Sequence, residues 1–196
     1  MSTAAAAAAH RIDQMPGGNL VLIGFRGSGK TSVGRLVAAR LNWAFVDTDE
    51  RIESLAGRPI CELFEQLGPA WFRQQETRLI GELVGGRQQV ISVGGGAVLE
   101  ERNRGALRTA GICVWLTAPA EELYRRMLAD PRNAQTRPPL TGQDGLAEVR
   151  HLLSEREPLY AAAAHRTLST AGRTLEEVAE ALLRLVAESG RFSENS

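Results

Sequence analysis

Leu20-Val21-Leu22-Ile23-Gly24-Phe25-Arg26-Gly27-Ser28-Gly29-Lys30-Thr31 is the stretch whose reading decides the fold. Four apolar residues read as a short buried strand, a glycine-rich turn follows, and Gly24-x4-Gly29-Lys30-Thr31 matches the phosphate-binding loop known as Walker A. Glycines let backbone N–H groups converge on phosphate oxygens where a Cβ would intrude, and the following helix adds the positive end of its dipole. Gly27, Ser28, Gly29, Lys30, Thr31 and Ser32 are the expected phosphate cradle, with Lys30 reaching the β- and γ-phosphates and the Thr31 hydroxyl holding Mg²⁺. A plain flexible turn is the alternative, and composition weighs against it. The 23 basic residues are 22 Arg and one Lys, and that Lys is Lys30. A compact ammonium fits a tight loop that a planar guanidinium is too broad to enter.

Outward from the loop, Val33, Leu36, Val37 and Leu41 lie on one face of a helix running from Gly29 to Leu41. Asn42 ends it, and Trp43-Ala44-Phe45-Val46 reads as a second, parallel strand completing a crossover. Asp47-Thr48-Asp49 follows at once, placing two carboxylates at the carboxyl end of that strand, the edge where open parallel sheets bind ligands. Residues 50–83 read as a helical insert punctuated by Gly57-Arg58-Pro59 and Gly68-Pro69, with Arg73 and Glu76 one turn apart where they can pair. Val90-Ile91-Ser92-Val93 is a third strand that runs straight into Gly94-Gly95-Gly96, which would let a ligand approach the backbone directly.

A helix from about Glu100 to Thr109, the strand Ile112-Cys113-Val114-Trp115-Leu116, and a helix opened by Pro119 come next. From Ala129 to Gly145 the chain turns polar and rich in Pro and Gly, with Arg132 and Arg137. A loop of that length in a compact domain reads as a mobile lid, which a kinase needs to keep water from the bound triphosphate. A helix carrying Arg156, a weak fifth strand at Arg166-Thr167-Leu168 and a closing helix announced by the capping box Thr174-Leu175-Glu176-Glu177 complete the order. The sum is an α/β, five-stranded parallel sheet with helices on both faces, a P-loop kinase fold with a substrate-binding helical insert and a lid.

The whole chain limits what else it can be. Its 196 residues suit one domain, expected at 19–187 between disordered tails at 1–18 and 188–196. Equal numbers of acidic and basic residues give no net charge to drive binding to nucleic acid or to a membrane surface, and no apolar run nears the roughly 20 residues that span a bilayer. The N-terminal Ala run does not resemble a secretory signal. Cys61 and Cys113, far apart and each beside an apolar residue, read as buried free thiols suited to a reducing cytoplasm. The strands that could supply a distant Mg²⁺-binding Asp end instead in Gly94 and Thr117, and no Asn-Lys-x-Asp stretch exists for guanine, so a GTPase switch is disfavoured. Carboxylates for hydroxyl groups and Arg forks for a carboxylate together suggest a polyol acid as the phosphoryl acceptor.

Gly24–Thr31, Asp47-Thr48-Asp49, Phe72-Arg73, Gly94-Gly95-Gly96, Arg137-Pro138-Pro139-Leu140 and Arg156-Glu157-Pro158-Leu159-Tyr160, in that order, resemble the shikimate kinases over about Leu20 to Val186. The resemblance implies transfer of the ATP γ-phosphoryl group to the 3-hydroxyl of shikimate, with Mg²⁺, in a cytoplasmic monomer. It implies that Asp49 binds acceptor hydroxyls and is the candidate to take the proton, and that Asp47 meets Mg²⁺ through water. Arg73 and Arg156 would grip the shikimate carboxylate, Gly94, Gly95 and Gly96 would line its ring, Arg137 would meet the phosphates from the lid, and Arg126 would stack on adenine, with Arg125 as its substitute. Gluconate kinases and nucleoside monophosphate kinases are the enzymatic rivals, disfavoured by the glycine run and the Asp pair. A non-catalytic nucleotide-binding protein is a rival of another class, disfavoured by the joint presence of Lys30, Thr31, Asp49 and Arg137.

Overall fold

The strand that precedes the glycine-rich loop, β1 (Asn19–Ile23), is the middle strand of a five-stranded sheet in the computed structural model, which describes residues 2–130 and 145–188. Its neighbours are β3 (Gln89–Ser92) on one side and β4 (Gly111–Thr117) on the other, and β2 (Ala44–Asp47) and β5 (Arg166–Ser169) form the two edges. Every pairing is parallel, as the crossover reading requires. The weakly signalled fifth strand is real.

Because side chains alternate across a strand, β1 feeds two cores. Leu20 and Leu22 face α2 (Lys30–Leu41) and the closing helix α8 (Leu175–Ala187). Val21 and Ile23 face the side covered by α5 (Glu101–Thr109), α6 (Ala120–Ala129) and α7 (Gly145–Ala163). The chain leaves β1 for α2 on one face and leaves β3 for α5 on the other. The loops after these adjacent strands therefore part, opening a crevice at their carboxyl ends, where ligands bind in open α/β sheets.

The insert is α3 (Thr48–Ala56) and α4 (Ile60–Leu83), with a small core of its own built from Ile52, Ile60, Leu63, Phe72 and Leu79. Both predicted interruptions are present. Gly57 ends α3 in the left-handed region, and Gly68 breaks α4 with non-helical φ 78°, ψ 165° just before Pro69.

The N-terminus departs from the expected disordered tail. Thr3–Asp13 form α1, capped by Ser2, whose Oγ accepts from Ala5 N at 3.3 Å. Ala5, Ala8 and Ile12 are fully buried against α8 and the sheet. Alanine has the highest helix propensity, and its small side chain lets two helices approach closely, so an Ala run with Ile12 at the right spacing docks without a strongly apolar face. Arg87 ties the end of α1 by donating to Asp13 O at 2.8 Å. Residues 131–144, which hold Arg132, Arg137 and most of the expected lid, and residues 189–196 of the expected C-terminal tail lie outside the described residues.

Cys113 is buried, with its thiol pushed up to about 12 by desolvation, as expected of an inert core thiol; Cys61 is only partly buried. Between α7 and β5, His165 donates its backbone N–H to Cys113 O at 2.7 Å, while its Nδ1 accepts from Cys113 N–H at 3.0 Å. That acceptor role requires a neutral ring. Burial first, then the Arg108 and Arg166 charges, hold the imidazole below its usual value. A lowered folded-state pKa means stability that is complete above the unfolded value of about 6.5 and is lost as pH falls through it toward the folded one. The urea midpoint is therefore expected to drop between pH 7 and 5, and less so in His165→Asn, whose amide oxygen accepts without titrating. Equal slopes in the two proteins would remove His165 as the cause.

Candidate active site

The glycine-rich loop sits where it does because Gly24 has φ 144°, and a Cβ there would lie 2.3 Å from the Leu116 carbonyl oxygen of β4. Only glycine allows the chain to turn so close to the neighbouring strand. Lys30 opens α2 and folds back over the loop, its Nζ donating to the carbonyls of Gly24 (2.8 Å) and Phe25 (3.0 Å), and it is 8 % exposed. An ammonium held by carbonyl oxygens beside a cleft is ready to exchange them for phosphate oxygens. Ser28 is fully buried beneath the loop.

Asp47 joins the three strand ends that converge here. The β2–β3 register puts it opposite Ser92, whose Oγ donates to Asp47 Oδ2 at 2.9 Å, and the Thr31 hydroxyl donates to the same oxygen at 2.7 Å. Its Oδ1 caps α3 by accepting from the backbone of Asp49 (3.0 Å) and Glu50 (3.4 Å). Thr48 Oγ1 in turn accepts from Gly94 N at 3.0 Å, tying α3 to the glycine run. With its proton committed to Asp47, Thr31 Oγ1 keeps lone pairs for a cation. Hydroxyl and carboxylate oxygens are the hard donors Mg²⁺ takes, together with water and phosphate, so the residues present fit that ion. Among the described residues no group of three His, Cys, Asp or Glu side chains forms an all-protein metal cage.

Two cavities open on this edge. The larger, about 360 Å³, is lined by Gly27, Gly29, Lys30, Thr31, Ser32, Asp47 and Arg126. The smaller, about 230 Å³, is lined by Arg73, Glu76, Gly94, Gly95, Gly96, Glu148 and Arg156, with Phe25, Phe64 and Phe72 as apolar walls. Asp49, 8 % exposed, belongs to both, as do Arg26 and Ile60.

The glycine run serves the side chains around it. A Cβ on Gly94 would lie 2.6 Å from Asp49 Oδ1 and 2.5 Å from Glu76 Oε1, and one on Gly96 would lie 2.3 Å from the Arg73 guanidinium. Larger residues would push aside the groups that define the small cavity. Arg73 is ion-paired with Glu76, which is wholly buried. Arg156 comes from another helix, α7, and lies 5.4 Å above the Phe25 ring with Nη1 3.5 Å from Gly95 O. Tyr160, one turn on, donates its hydroxyl to the same carbonyl at 2.6 Å and stacks on Trp115 at 5.6 Å; burial pushes its phenol up to about 12. It therefore stays a donor and holds the Gly95 carbonyl that Arg156 also approaches.

Arg126 donates to Gly27 O (3.3 Å), to Thr170 Oγ1 and O (both 2.9 Å) and to Glu122 (2.6 Å), bridging the loop to the end of β5. Arg125 points away, its side chain 72 % exposed. Of that pair, the structure brings Arg126 to the cavity. Arg26, Ser92, Glu148 and Tyr160 line or brace the site without having been singled out. Ser92 could have been found from its place two residues before the glycine run, and Glu148 from its spacing with Arg156, eight residues on and on the same helical face.

Comparison with known proteins agrees with this arrangement. The shikimate kinase family model matches residues 26–187. The shikimate kinase of Symbiobacterium thermophilum is 44 % identical over 88 % of this chain and 98 % of its own length, and that of Rhodopirellula baltica is 37 % identical over 90 % and 95 %. A solved structure of shikimate kinase from Acinetobacter baumannii, in complex with shikimate, superposes with a TM-score of 0.82 at 34 % identity, over 91 % of this chain and 96 % of that one. With a match running from the phosphate loop to the closing helix and relatives covered nearly end to end, the chain belongs to the shikimate kinase family.

Proposed function

We propose that the two joined cavities are the two halves of a kinase site, with ATP phosphates in the larger and shikimate in the smaller. The chain phosphorylates shikimate using ATP. The observation that carries the division of labour is the position of Asp49 as a wall common to both cavities, with Lys30 on one side and the Arg73 and Arg156 pair on the other.

In this reading Arg73 and Arg156 hold the acid's carboxylate from two helices, while Asp49 accepts a hydrogen bond from the 3-hydroxyl and aims its oxygen at the γ-phosphorus. The new bond joins that oxygen to phosphorus, the bond from phosphorus to the β,γ-bridging oxygen breaks, and the hydroxyl proton passes to Asp49. Lys30 and the loop N–H groups stabilise the charge that develops on the phosphoryl oxygens, the role of Arg137 as well. Thr31 would hold Mg²⁺ directly and Asp47 through water; the ion neutralises phosphate charge. Arg126 borders the nucleotide end. A cavity of about 230 Å³ suits a small ring acid and is below the roughly 300–1,000 Å³ of pockets for drug-sized ligands. Among the described residues no helix is long and apolar enough to cross a membrane. A monomer acting in the cytoplasm completes the proposal.

ADP formation by the purified protein, measured with shikimate, gluconate, AMP or no acceptor, tests the reading. Shikimate alone should stimulate it, and loss of Mg²⁺ to a chelator should abolish the stimulated rate. Stimulation by gluconate or AMP would reassign the acceptor, and no stimulation at all would leave a binding protein.

A further inference from the structure

The proposed grip on the acceptor is basic, yet an acidic residue of the same helix as Arg156, Glu148, also lines the small cavity. Glu148, Leu152 and Arg156 stand at i, i+4 and i+8 of α7 and all line that cavity. The two charged residues are therefore about 12 Å apart along one face of the helix, at a rise of about 1.5 Å per residue. Helical side chains lean toward the N-terminus, which turns the long Arg156 side chain back along the cavity toward Glu148.

Glu148 Oε2 is sealed from solvent and has no hydrogen-bond partner among the described residues. A carboxylate oxygen out of water without a donor is costly, and most buried polar atoms in folded proteins have a partner. Phe25, Phe64, Phe72 and Leu152 on the cavity wall offer no side-chain donor, and of the three arginines that line it, Arg26, Arg73 and Arg156, none reaches Glu148 Oε2: Arg73 pairs with Glu76, and Arg156 lies over Phe25 with Nη1 3.5 Å from Gly95 O. Glu148 itself lines the cavity, so rotation about the last bond of its side chain, which is soft, brings a carboxylate oxygen to a ligand there that can supply the missing donor.

We propose that Glu148 is a specificity-determining residue that accepts a hydrogen bond from a ring hydroxyl of the acceptor other than the one phosphorylated. The proposal rests on the reading of the small cavity as the acceptor site. The acid's carboxylate then lies at the Arg156 end, the reacting hydroxyl at Asp49, and a second hydroxyl at Glu148. Three groups of different charge and position fix a small ring against rotation, and an acid lacking that hydroxyl leaves the Glu148 carboxylate without its donor in a closed cavity. A site built around a hydrogen bond discriminates strongly against the analogue that cannot make it.

The test is steady-state kinetics of the wild type, Glu148→Ala and Glu148→Gln with shikimate and with two analogues, each lacking one of the non-reacting hydroxyls. A hydrogen bond to a charged group predicts about a 10- to 100-fold rise in kcat-normalised KM for shikimate in Glu148→Ala, with KM for ATP changed less than about twofold. The wild type should lose a similar factor on one of the analogues, and Glu148→Ala should lose nothing further on that same analogue, since the contact is already gone. Glu148→Gln keeps an acceptor oxygen and should restore most of the affinity. Thermal melts of all three proteins separate binding from folding, and if Glu148→Ala does not fold, the Gln variant and the wild-type analogue series carry the test. Equal losses on shikimate and both analogues, or no change in Glu148→Ala, would overturn the proposal. Failure of the wild type to phosphorylate shikimate would instead overturn the reading on which it rests.

Discussion

Lys30→Met is expected to lower turnover by about 10³-fold or more while leaving the protein folded. Met keeps most of the length and apolar stem of Lys and removes only the charge and its donors. In the free enzyme Lys30 Nζ holds two carbonyls of its own loop, Gly24 O and Phe25 O. Losing those bonds costs the fold little, since the loop borders an open cavity where water can replace the donor. Losing the ammonium at the phosphates removes stabilisation that grows as the γ-phosphoryl group is transferred, so the effect belongs in kcat more than in affinity. ADP formation gives the rate and a thermal melt gives the fold; a variant with near-normal turnover and an unchanged melt would refute the loop assignment. Lys30 is also the only lysine in the chain, so an amine-directed reagent has one side-chain target, and ATP should protect it.

Much of this site could be read in the sequence because its chemistry is anchored at strand ends. A short apolar run followed by Gly24–Thr31, by Asp47-Thr48-Asp49 or by Gly94-Gly95-Gly96 marks a residue's position as well as its type. In a parallel sheet the carboxyl ends of neighbouring strands must lie side by side. The rest depended on contacts between distant segments. Glu76 is legible as a partner one turn from Arg73, but its complete burial follows from how α4 packs against the glycine run. Arg26 resembles any loop arginine until the fold sets it between two cavities. The glycine run reads as an approach route for ligand, and the structure adds a second reason for it, room for Asp49, Glu76 and Arg73. The helix at Thr3–Asp13 was missed because amphipathic contrast is what signals a docked helix, and an alanine face docks by closeness instead.

Arg73→Ala should weaken shikimate binding by about 100-fold and ATP binding by less than about threefold, as titration calorimetry with each ligand can show. The asymmetry follows from position, because Arg73 lines the small cavity and is absent from the walls of the larger one. Truncation has two consequences that must be separated. It removes a guanidinium fork from the acid, and it removes the cation from beside Glu76, whose side chain is wholly buried. Breaking a buried pair from one side destabilises strongly, although Arg73 itself keeps 25 % of its side-chain surface exposed, which moderates the cost. Arg73→Lys separates them. Its ammonium can still face Glu76, so the melting temperature should stay near that of the wild type, but a single point charge cannot reproduce two parallel hydrogen bonds to a carboxylate, so shikimate affinity should still fall by about tenfold. Equal loss of both ligands in Arg73→Ala, with both affinities recovered in Arg73→Lys, would make Arg73 a structural partner of Glu76. Selective loss of shikimate in both variants would assign the carboxylate grip to Arg73, because only the geometry of the fork distinguishes the lysine variant from the native protein.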